Sequence, residues 1–200
     1  MTQIDFIFDF GSPNAYLCHK VIPEVEQRSG ARFNYIPCLL GGIFKATGNQ
    51  SPFTAYAGIK NKSAYDMLEM HRFIAKHQLP FQMNPHFPIN TLQIMRGAMA
   101  AQLDGKLATY VDGIFRYMWE EPRKLDDAAV IEQTFQDIGF DAAHLMQRMA
   151  DDDVKQALVA NTNAAVERGA FGSPTFFVGK EMWFGKERLR DIEEYLREKS

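Results

Sequence analysis

The sequence is poor in cysteine, in basic charge and in long apolar runs. Two cysteines in 200 residues are too few for a disulfide scaffold, and they form no Cys-X-X-Cys pair. The net charge of −3 provides no basic excess with which to bind nucleic acid or an anionic membrane. No apolar run approaches the ~18 residues of a membrane span, and no signal-peptide pattern opens the chain. We therefore expect a cytoplasmic protein with no nucleic-acid or membrane partner.

Motifs for phosphate and metal binding are also missing. The sequence has no Gly-X-Gly-X-X-Gly run and no phosphate loop. Its five histidines show no close ligand spacing, so we expect no metal site; only His86, in a proline-rich segment, is considered as a residue that could line a pocket. Cys18 and Cys38 are interpreted as core thiols, because Cys18 falls about two turns into a predicted helix, where a thiolate gains little.

Residues 3–38 have the pattern of one strand–helix–strand unit. Apolar side chains alternate with period two from Ile4 to Phe10, which predicts a strand. A helix is predicted from Ser12 to about Ser29, with a kink or a second start at Pro23. A second strand is predicted from Arg32 to Cys38. The two strands are expected to be parallel, with a right-handed crossover.

The middle of the chain is predicted to be helical. Glycine and proline residues between 41 and 52 predict a loop, and three prolines in 80–90 predict an ordered loop or a linker. Helical spacing recurs in six segments, which are 63–78, 91–103, 106–119, 126–138, 141–150 and 153–168. Asp126 and Asp153 are plausible N-caps for two of these helices.

The end of the chain returns to strands. Residues 175–178 and 181–184 flank Gly179-Lys180 and predict a hairpin, and a final helix is predicted from Lys186 to about Lys199. The order β-α-β, a long helical stretch, then β-β-α is that of a thioredoxin-like α/β fold interrupted by an all-helical insertion. We expect residues 1–42 and 170–200 to form the thioredoxin-like domain, and residues 43–169 to form the helical insertion domain.

The most informative segment is the corner between the first strand and the first helix. Ser12 stands at the predicted N-cap and Pro13 one residue inside the helix, as both residue types prefer. A hydroxyl there faces free backbone N–H groups and the positive end of the helix dipole, which suits an anion. Thioredoxin-like folds place their reactive cysteine at this corner. With serine here, a thiolate would have to come from a ligand; a plain helix cap is the alternative interpretation.

A second informative segment, Gly172-Ser173-Pro174-Thr175, directly precedes the third strand. Proline cannot donate to a strand ladder, so Pro174 must stand at the strand entrance. In thioredoxin-like folds this position carries a cis-proline that faces the reactive corner, and the backbone of the preceding residue can pair with a peptide-like ligand. We therefore predict a cis Ser173–Pro174 bond within contact reach of Ser12.

Four segments, taken in order, resemble one enzyme family. They are Asp9–Pro13, Thr47–Pro52, Gly169–Thr175 and Met182–Leu189, and the resemblance runs from about residue 4 to residue 196. Together they resemble the kappa-class glutathione transferases, whose bacterial branch is the 2-hydroxychromene-2-carboxylate isomerases. The resemblance implies a DsbA-like thioredoxin fold, glutathione as cofactor, a small aromatic substrate and a homodimer.

The resemblance also implies which residues around the corner bind the cofactor. Ser12 matches the serine that hydrogen-bonds the glutathione sulfur and is the implied catalytic residue. Pro13 and Asn14 fall in the same glutathione-contacting turn. Asn49 matches an asparagine that contacts glutathione from the inserted domain.

The remaining implied contacts come from the end of the chain. Ser173, with Pro174, matches the cis-proline site whose backbone pairs with the cysteinyl part of glutathione. Lys186 and Glu187 match two positions that hold the γ-glutamyl end, where the family usually has Ser or Asn followed by Asp. Glu187 keeps the acid, whereas Lys186 departs from the pattern. A lysine of the Lys60-Asn61-Lys62 segment is a further candidate contact, and the sequence does not decide which one.

The implied activity is a glutathione-dependent isomerisation of 2-hydroxychromene-2-carboxylate or trans-o-hydroxybenzylidenepyruvate-type substrates. The Ser12 hydroxyl and the helix N-terminus would favour the thiolate, which adds to a conjugated carbon and leaves after bond rotation or ring opening. Two alternatives stay open: a general kappa-type transferase, and a non-catalytic glutathione-binding module. A disulfide oxidoreductase is disfavoured, because serine replaces the reactive cysteine.

Overall fold

Strand β1 (Gln3–Phe8) lies at the centre of the sheet, because its side chains are apolar on both faces. The structure is a computed structural model that describes residues 2–199. Ile4, Phe6 and Phe8 enter the main core, and Ile7 enters a smaller cluster on the opposite face. A strand buried on both faces needs partners on both edges and packing layers above and below it.

The sheet has four strands, and the strands follow one another along the chain as predicted. β1 pairs in parallel with β2 (Arg32–Pro37) and antiparallel with β3 (Thr175–Val178). β3 pairs antiparallel with β4 (Glu181–Phe184), so the spatial order is β2-β1-β3-β4. The predicted parallel unit and the predicted hairpin are both confirmed.

Helix α1 (Pro13–Ser29) connects β1 to β2 and positions the corner. It begins at the N-cap Ser12 and ends at Gly30, whose left-handed φ of 70° allows its N–H to reach the Glu26 carbonyl. The helix continues through Pro23, so a second start at that residue was a wrong prediction.

The middle of the chain folds into eight helices within the described residues. They are α2 (Leu40–Thr47), α3 (Pro52–Ala55), α4 (Lys62–His77), α5 (Leu92–Leu103), α6 (Leu107–Trp119), α7 (Ala128–Asp137), α8 (Ala142–Arg148) and α9 (Asp152–Glu167). The six predicted helices are present within two residues at each end. The segment 80–90 has neither helix nor strand, as predicted.

Two details of this helical region were predicted wrongly. The segment 40–47, expected to be a loop because of its glycines, is a helix that packs against α9, and a Cβ on Gly42 would lie 3.0 Å from Thr162 Cγ2. The two helices can therefore approach each other closely because Gly42 has no side chain. The N-cap of α7 is Asp127, one residue after the predicted Asp126, and that of α9 is Asp151, two residues before the predicted Asp153.

The last helix, α10 (Arg188–Lys199), packs against α1 and buries Leu189, Ile192 and Leu196. The chain therefore has the predicted mixed α/β architecture, a thioredoxin-like sheet with a long helical segment between β2 and β3. The division at residues 42 and 170 stays a prediction. Across residues 2–199, every helix is too short or too polar to cross a lipid bilayer.

Candidate functional site

The Ser12 hydroxyl joins the two segments that the sequence analysis singled out. Its Oγ accepts a hydrogen bond from the Ala15 N–H at 3.2 Å, as an N-cap does, and donates to the Ser173 carbonyl at 2.9 Å. The Ser173–Pro174 bond is cis. The predicted meeting of the corner with the cis-proline segment is confirmed, although 161 residues separate the two serines.

The start of α1 leaves a backbone donor without an acceptor beside this hydroxyl. Pro13 has no N–H, and within residues 2–199 the Asn14 N–H has no hydrogen-bond acceptor. Asn14 is partly exposed, whereas Ser12 is only 5% exposed. A hydroxyl, a free N–H and the positive end of a 17-residue helix together form a site for a small anion.

The backbone of the corner is fixed by groups that the sequence analysis missed. The Asp9 carboxylate, 1% exposed, accepts from Gly11 N–H at 2.8 Å, Leu40 N–H at 2.7 Å and Thr91 Oγ1 at 3.1 Å. Trp119 Nε1 donates to the Phe10 carbonyl at 2.8 Å. Burial raises the pKa of Asp9, and the three donors act in the opposite direction.

Asn49 reaches the cis-proline segment from the end of α2. Its side-chain Nδ2 donates to the Phe171 carbonyl at 2.7 Å, and its Oδ1 accepts from the Gln50 N–H at 2.8 Å. The side chain is exposed, so the amide is accessible to a ligand that lies along residues 171–173. The structure thus brings Asn49 to the segment that bonds to Ser12.

Lys186 and Glu187 are held next to the cis-proline by the backbone. The Gly185 N–H donates to the Pro174 carbonyl at 3.0 Å. Both charged residues therefore directly follow a residue that is hydrogen-bonded to the cis-proline. The Lys186 side chain is only 6% exposed; its ammonium pairs with Glu187 and lies 5.6 Å from the centroid of the Phe73 ring. Because an ammonium has three N–H donors, a single carboxylate partner satisfies it incompletely.

Three other sequence candidates, Lys60, Lys62 and His86, are not brought to this arrangement by the contacts that the structure describes. Lys62 pairs with Asp66 and lies 4.5 Å from the centroid of the Tyr56 ring, whereas Lys60 is exposed. His86 is exposed, and its backbone N–H donates to Asn84 Oδ1 at 2.9 Å. Nothing in these contacts assigns either lysine or His86 to the corner.

The chain's own thiols are buried and are not nucleophiles at the corner. Cys18 and Cys38 are free and at most 1% exposed, which confirms the interpretation as core thiols. Burial raises the pKa of Cys18 well above its usual value and that of Cys38 to about 12, where the Asp9 charge adds to the effect. Among residues 2–199, no three His, Cys, Asp or Glu side chains cluster as metal ligands would.

Two groups of aromatic rings lie near the residues of the corner. Phe171 and Phe184 are 39% and 41% exposed, and their ring centroids are 4.5 Å apart beside the cis-proline segment. In the second group, Phe87 packs between Trp119, which bonds to the Phe10 carbonyl, and the half-exposed Phe53, with centroid distances of 5.8 and 5.1 Å. Accessible rings around polar groups are typical of sites for small organic ligands.

The four-stranded sheet with a long helical segment between β2 and β3 defines a thioredoxin-like fold, and the family comparison agrees with it. The model of the DSBA-like thioredoxin domain matches residues 3–197, so the chain belongs to that family. A probable DsbA oxidoreductase from Streptomyces coelicolor shares the fold, with a TM-score of 0.71 at 17% identity over 99% of this chain and 89% of that chain.

More similar relatives carry two enzyme names. A 2-hydroxychromene-2-carboxylate isomerase of Pseudomonas putida is 27% identical over 190 residues, which cover 95% of this chain and 92% of the relative. The rat (Rattus norvegicus) glutathione S-transferase kappa 1 is 26% identical over 98% of this chain and 91% of its own length. A solved 2-hydroxychromene-2-carboxylate isomerase superposes with a TM-score of 0.84 at 26% identity, over 98% of this chain and 95% of that structure.

Proposed function

We propose that this protein is a glutathione-dependent isomerase of 2-hydroxychromene-2-carboxylate or trans-o-hydroxybenzylidenepyruvate-type aromatic substrates. One observation carries the proposal: the Ser12 hydroxyl, at the start of α1, donates to the backbone of Ser173 at the cis-proline segment. The names and full-length similarity of the relatives support it. Two free buried thiols suit the reducing cytoplasm, which is the location that we propose. We also propose that the protein is a homodimer.

The residues at the corner fit a peptide-like thiol. Ser12 has one hydroxyl proton, which it donates in a hydrogen bond to the Ser173 carbonyl. Turning that proton to a bound sulfur would leave the Ser173 carbonyl free to accept an N–H of the ligand. Ser12 would then hold its proton at the sulfur, and the Asn14 N–H would face the same charge. Both interactions favour a thiolate over a thiol.

The other residues hold and orient the cofactor. Asn49 and the Ser173 backbone would bind the cysteinyl portion, and Glu187 would accept from the γ-glutamyl ammonium. When bound, glutathione supplies a thiolate nucleophile that adds to a conjugated carbon of the substrate and leaves again. Phe171, Phe184 and Phe87 would offer apolar surface against which a flat aromatic substrate is oriented.

A second candidate function is a kappa-type transferase, and the kappa-class relatives favour it. The same Ser12 corner would serve, but the conjugate would leave as product. Product analysis separates the two functions, because an isomerase returns all of its glutathione and a transferase consumes one molecule per turnover.

Ser12→Ala tests the proposed chemistry. Since a hydrogen bond to a charged group contributes roughly 1.5–3 kcal/mol, its loss should raise the pKa of the bound glutathione thiol by about one to two units. Turnover at neutral pH should fall roughly tenfold or more, while glutathione affinity changes less. The measurements are the thiolate ultraviolet absorbance of the complex against pH and the rate with an isomerisable substrate.

A matched control separates this effect from the loss of a helix cap. Asp127→Ala removes the N-cap of α7, whose side chain accepts from Ala129 and Val130 N–H, and should lower only the melting temperature. If Ser12→Ala leaves the thiol pKa and the rate unchanged, Ser12 is only a cap and the proposal fails. Binding of glutathione without turnover of any electrophile would leave the non-catalytic binding module as the function.

A further inference from the structure

The buried carboxylate of Asp9 meets the starts of three helices. Its Oδ1 accepts from Gly11, one residue before the N-cap of α1. Its Oδ2 accepts from Leu40, the first residue of α2, and from Thr91, the N-cap residue of α5. Neither Leu39, the N-cap of α2, nor Thr91 caps its own helix with its side chain. Asp9 therefore supplies an acceptor to the start of α2, which lacks a local one, and binds the N-cap side chain of α5, whose Leu92 N–H donates to Asn90 Oδ1 at 3.0 Å.

Asp9 has the hydrogen-bond partners typical of a carboxylate but, in the part of the chain that the structure describes, no cationic side chain beside it. All three partners donate to it, and two of them, one on each oxygen, are backbone N–H groups that cannot accept a proton. No lysine, arginine or histidine within residues 2–199 pairs with it. Three backbone or hydroxyl dipoles at helix N-termini provide the compensation that a buried anion needs.

The same group fixes the turn on which Ser12 stands. The Ser12 N–H donates to the Asp9 backbone carbonyl at 3.0 Å, so both the main chain and the side chain of Asp9 hold the four-residue turn from Asp9 to Ser12. The packing is close as well: a Cβ on Gly11 would lie 3.1 Å from Thr91 Cγ2 and 3.3 Å from Asp9 Oδ1. Displacement of the carboxylate would move the Gly11 peptide and, with it, the Ser12 hydroxyl.

We propose that Asp9 is a positioning residue for Ser12: by joining the starts of α1, α2 and α5, it sets the place of the hydroxyl that bonds to the cofactor sulfur. The proposal rests on the proposed function, since it needs a thiol bound at Ser12. Because Asp9 is only 1% exposed, a cofactor bound at the corner would not touch it.

Asp9→Asn tests this role, because the amide keeps the size but has one acceptor oxygen. Its NH2 group must face either the Gly11 N–H or the Leu40 N–H, and the corner has to shift. We expect the pKa of the bound thiol to rise by up to the one to two units expected for Ser12→Ala, with a fall in kcat larger than any rise in KM. A purely electrostatic role gives the opposite sign, since removing a negative charge lowers the thiol pKa.

The double variant Asp9→Asn/Ser12→Ala decides whether Asp9 acts through Ser12. If it does, the double variant has the thiol pKa of Ser12→Ala alone; independent effects would add. Asp127→Asn is the matched control, because it also removes a carboxylate from a helix start and should leave the thiol pKa unchanged. A lower, unchanged or additive thiol pKa in the Asp9 variants would overturn the proposal.

Thr91→Val keeps the test decisive if Asp9→Asn does not fold. It removes only the hydroxyl bond to Oδ2 and leaves the carboxylate charge in place, so we expect a smaller rise in the pKa of the bound thiol. In the double variant with Ser12→Ala, Thr91→Val should cause no further rise. No rise in a folded Thr91→Val protein would count against the positioning role. If Ser12→Ala itself leaves the thiol pKa unchanged, the proposed function fails first, and the two failures are thereby distinguished.

Discussion

Lys186→Met tests the proposed binding of the γ-glutamyl end of glutathione. The lysine side chain is 6% exposed and has one carboxylate partner, Glu187, which is itself 55% exposed. A ligand with both an ammonium and a carboxylate could pair with both residues at once. A simple amine or a simple acid would separate the existing pair and replace only half of it. The pair therefore fits the zwitterionic end of a γ-glutamyl group.

The size of the effect follows from burial. A charge-assisted contact contributes roughly 1.5–3 kcal/mol, which corresponds to about 10- to 150-fold in Kd. Lys186→Met should weaken glutathione binding within that range. The folded state should lose little stability, because Glu187 is half-exposed after the change and methionine suits a buried position. Lys180→Met, in the exposed turn of the hairpin, is the matched control and should change neither quantity.

The decisive assay compares two ligands by calorimetry. Glutathione is paired with 4-aminobutyryl-cysteinyl-glycine, which lacks the α-carboxylate. The unsubstituted protein should prefer glutathione by roughly the factor that Lys186→Met loses, and the variant should bind both ligands equally. If the ratio of the two Kd values is the same in both proteins, the reasoning is refuted. Lys186 would then serve only to pack against Phe73.

Two further changes test the surroundings of the corner. Gly11→Ala would place a Cβ 3.1 Å from Thr91 Cγ2, so we expect a lower melting temperature together with slower turnover; a variant with the original rate would show that the turn tolerates the shift. Asn49→Ala removes the 2.7 Å bond to the Phe171 carbonyl at an exposed position, so stability should change by less than about 1 kcal/mol while glutathione Kd rises several-fold. An unchanged Kd would remove Asn49 from the binding site.

Local patterns were sufficient to predict most of the fold. Period-two alternation located β1, the Gly179-Lys180 turn located the hairpin, and helical spacing located the six long helices. The segment 40–47 was missed because two glycines outweigh its apolar residues locally, whereas the Leu40 N–H acceptor is Asp9, 31 residues away. A helix start that depends on a distant carboxylate carries no local signal.

The candidate site was predictable to the extent that motifs mark it. Ser12, Asn49, Ser173 and Glu187 lie in recognisable segments, and the structure gathers them around the corner. Asp9 was taken as a polar residue on an alternating strand, but it follows the last residue of β1 and turns inward. Its partner Thr91 is 82 residues away, and Trp119 bonds to Phe10 across 109 residues. An acid directly after an apolar strand and before a helix cap is the signal that could have marked Asp9.

The bond between Trp119 and Phe10 also has a consequence for the order of folding. It closes a loop of 109 residues, and the bond from Ser12 to Ser173 closes one of 161. Contacts of such long range pay a loop-closure entropy that local helices do not, so they form late. A chain with its helices formed but the corner open would not yet bind a thiol. Retention on immobilised glutathione should therefore appear with the slowest refolding phase, after most of the helical circular dichroism has returned.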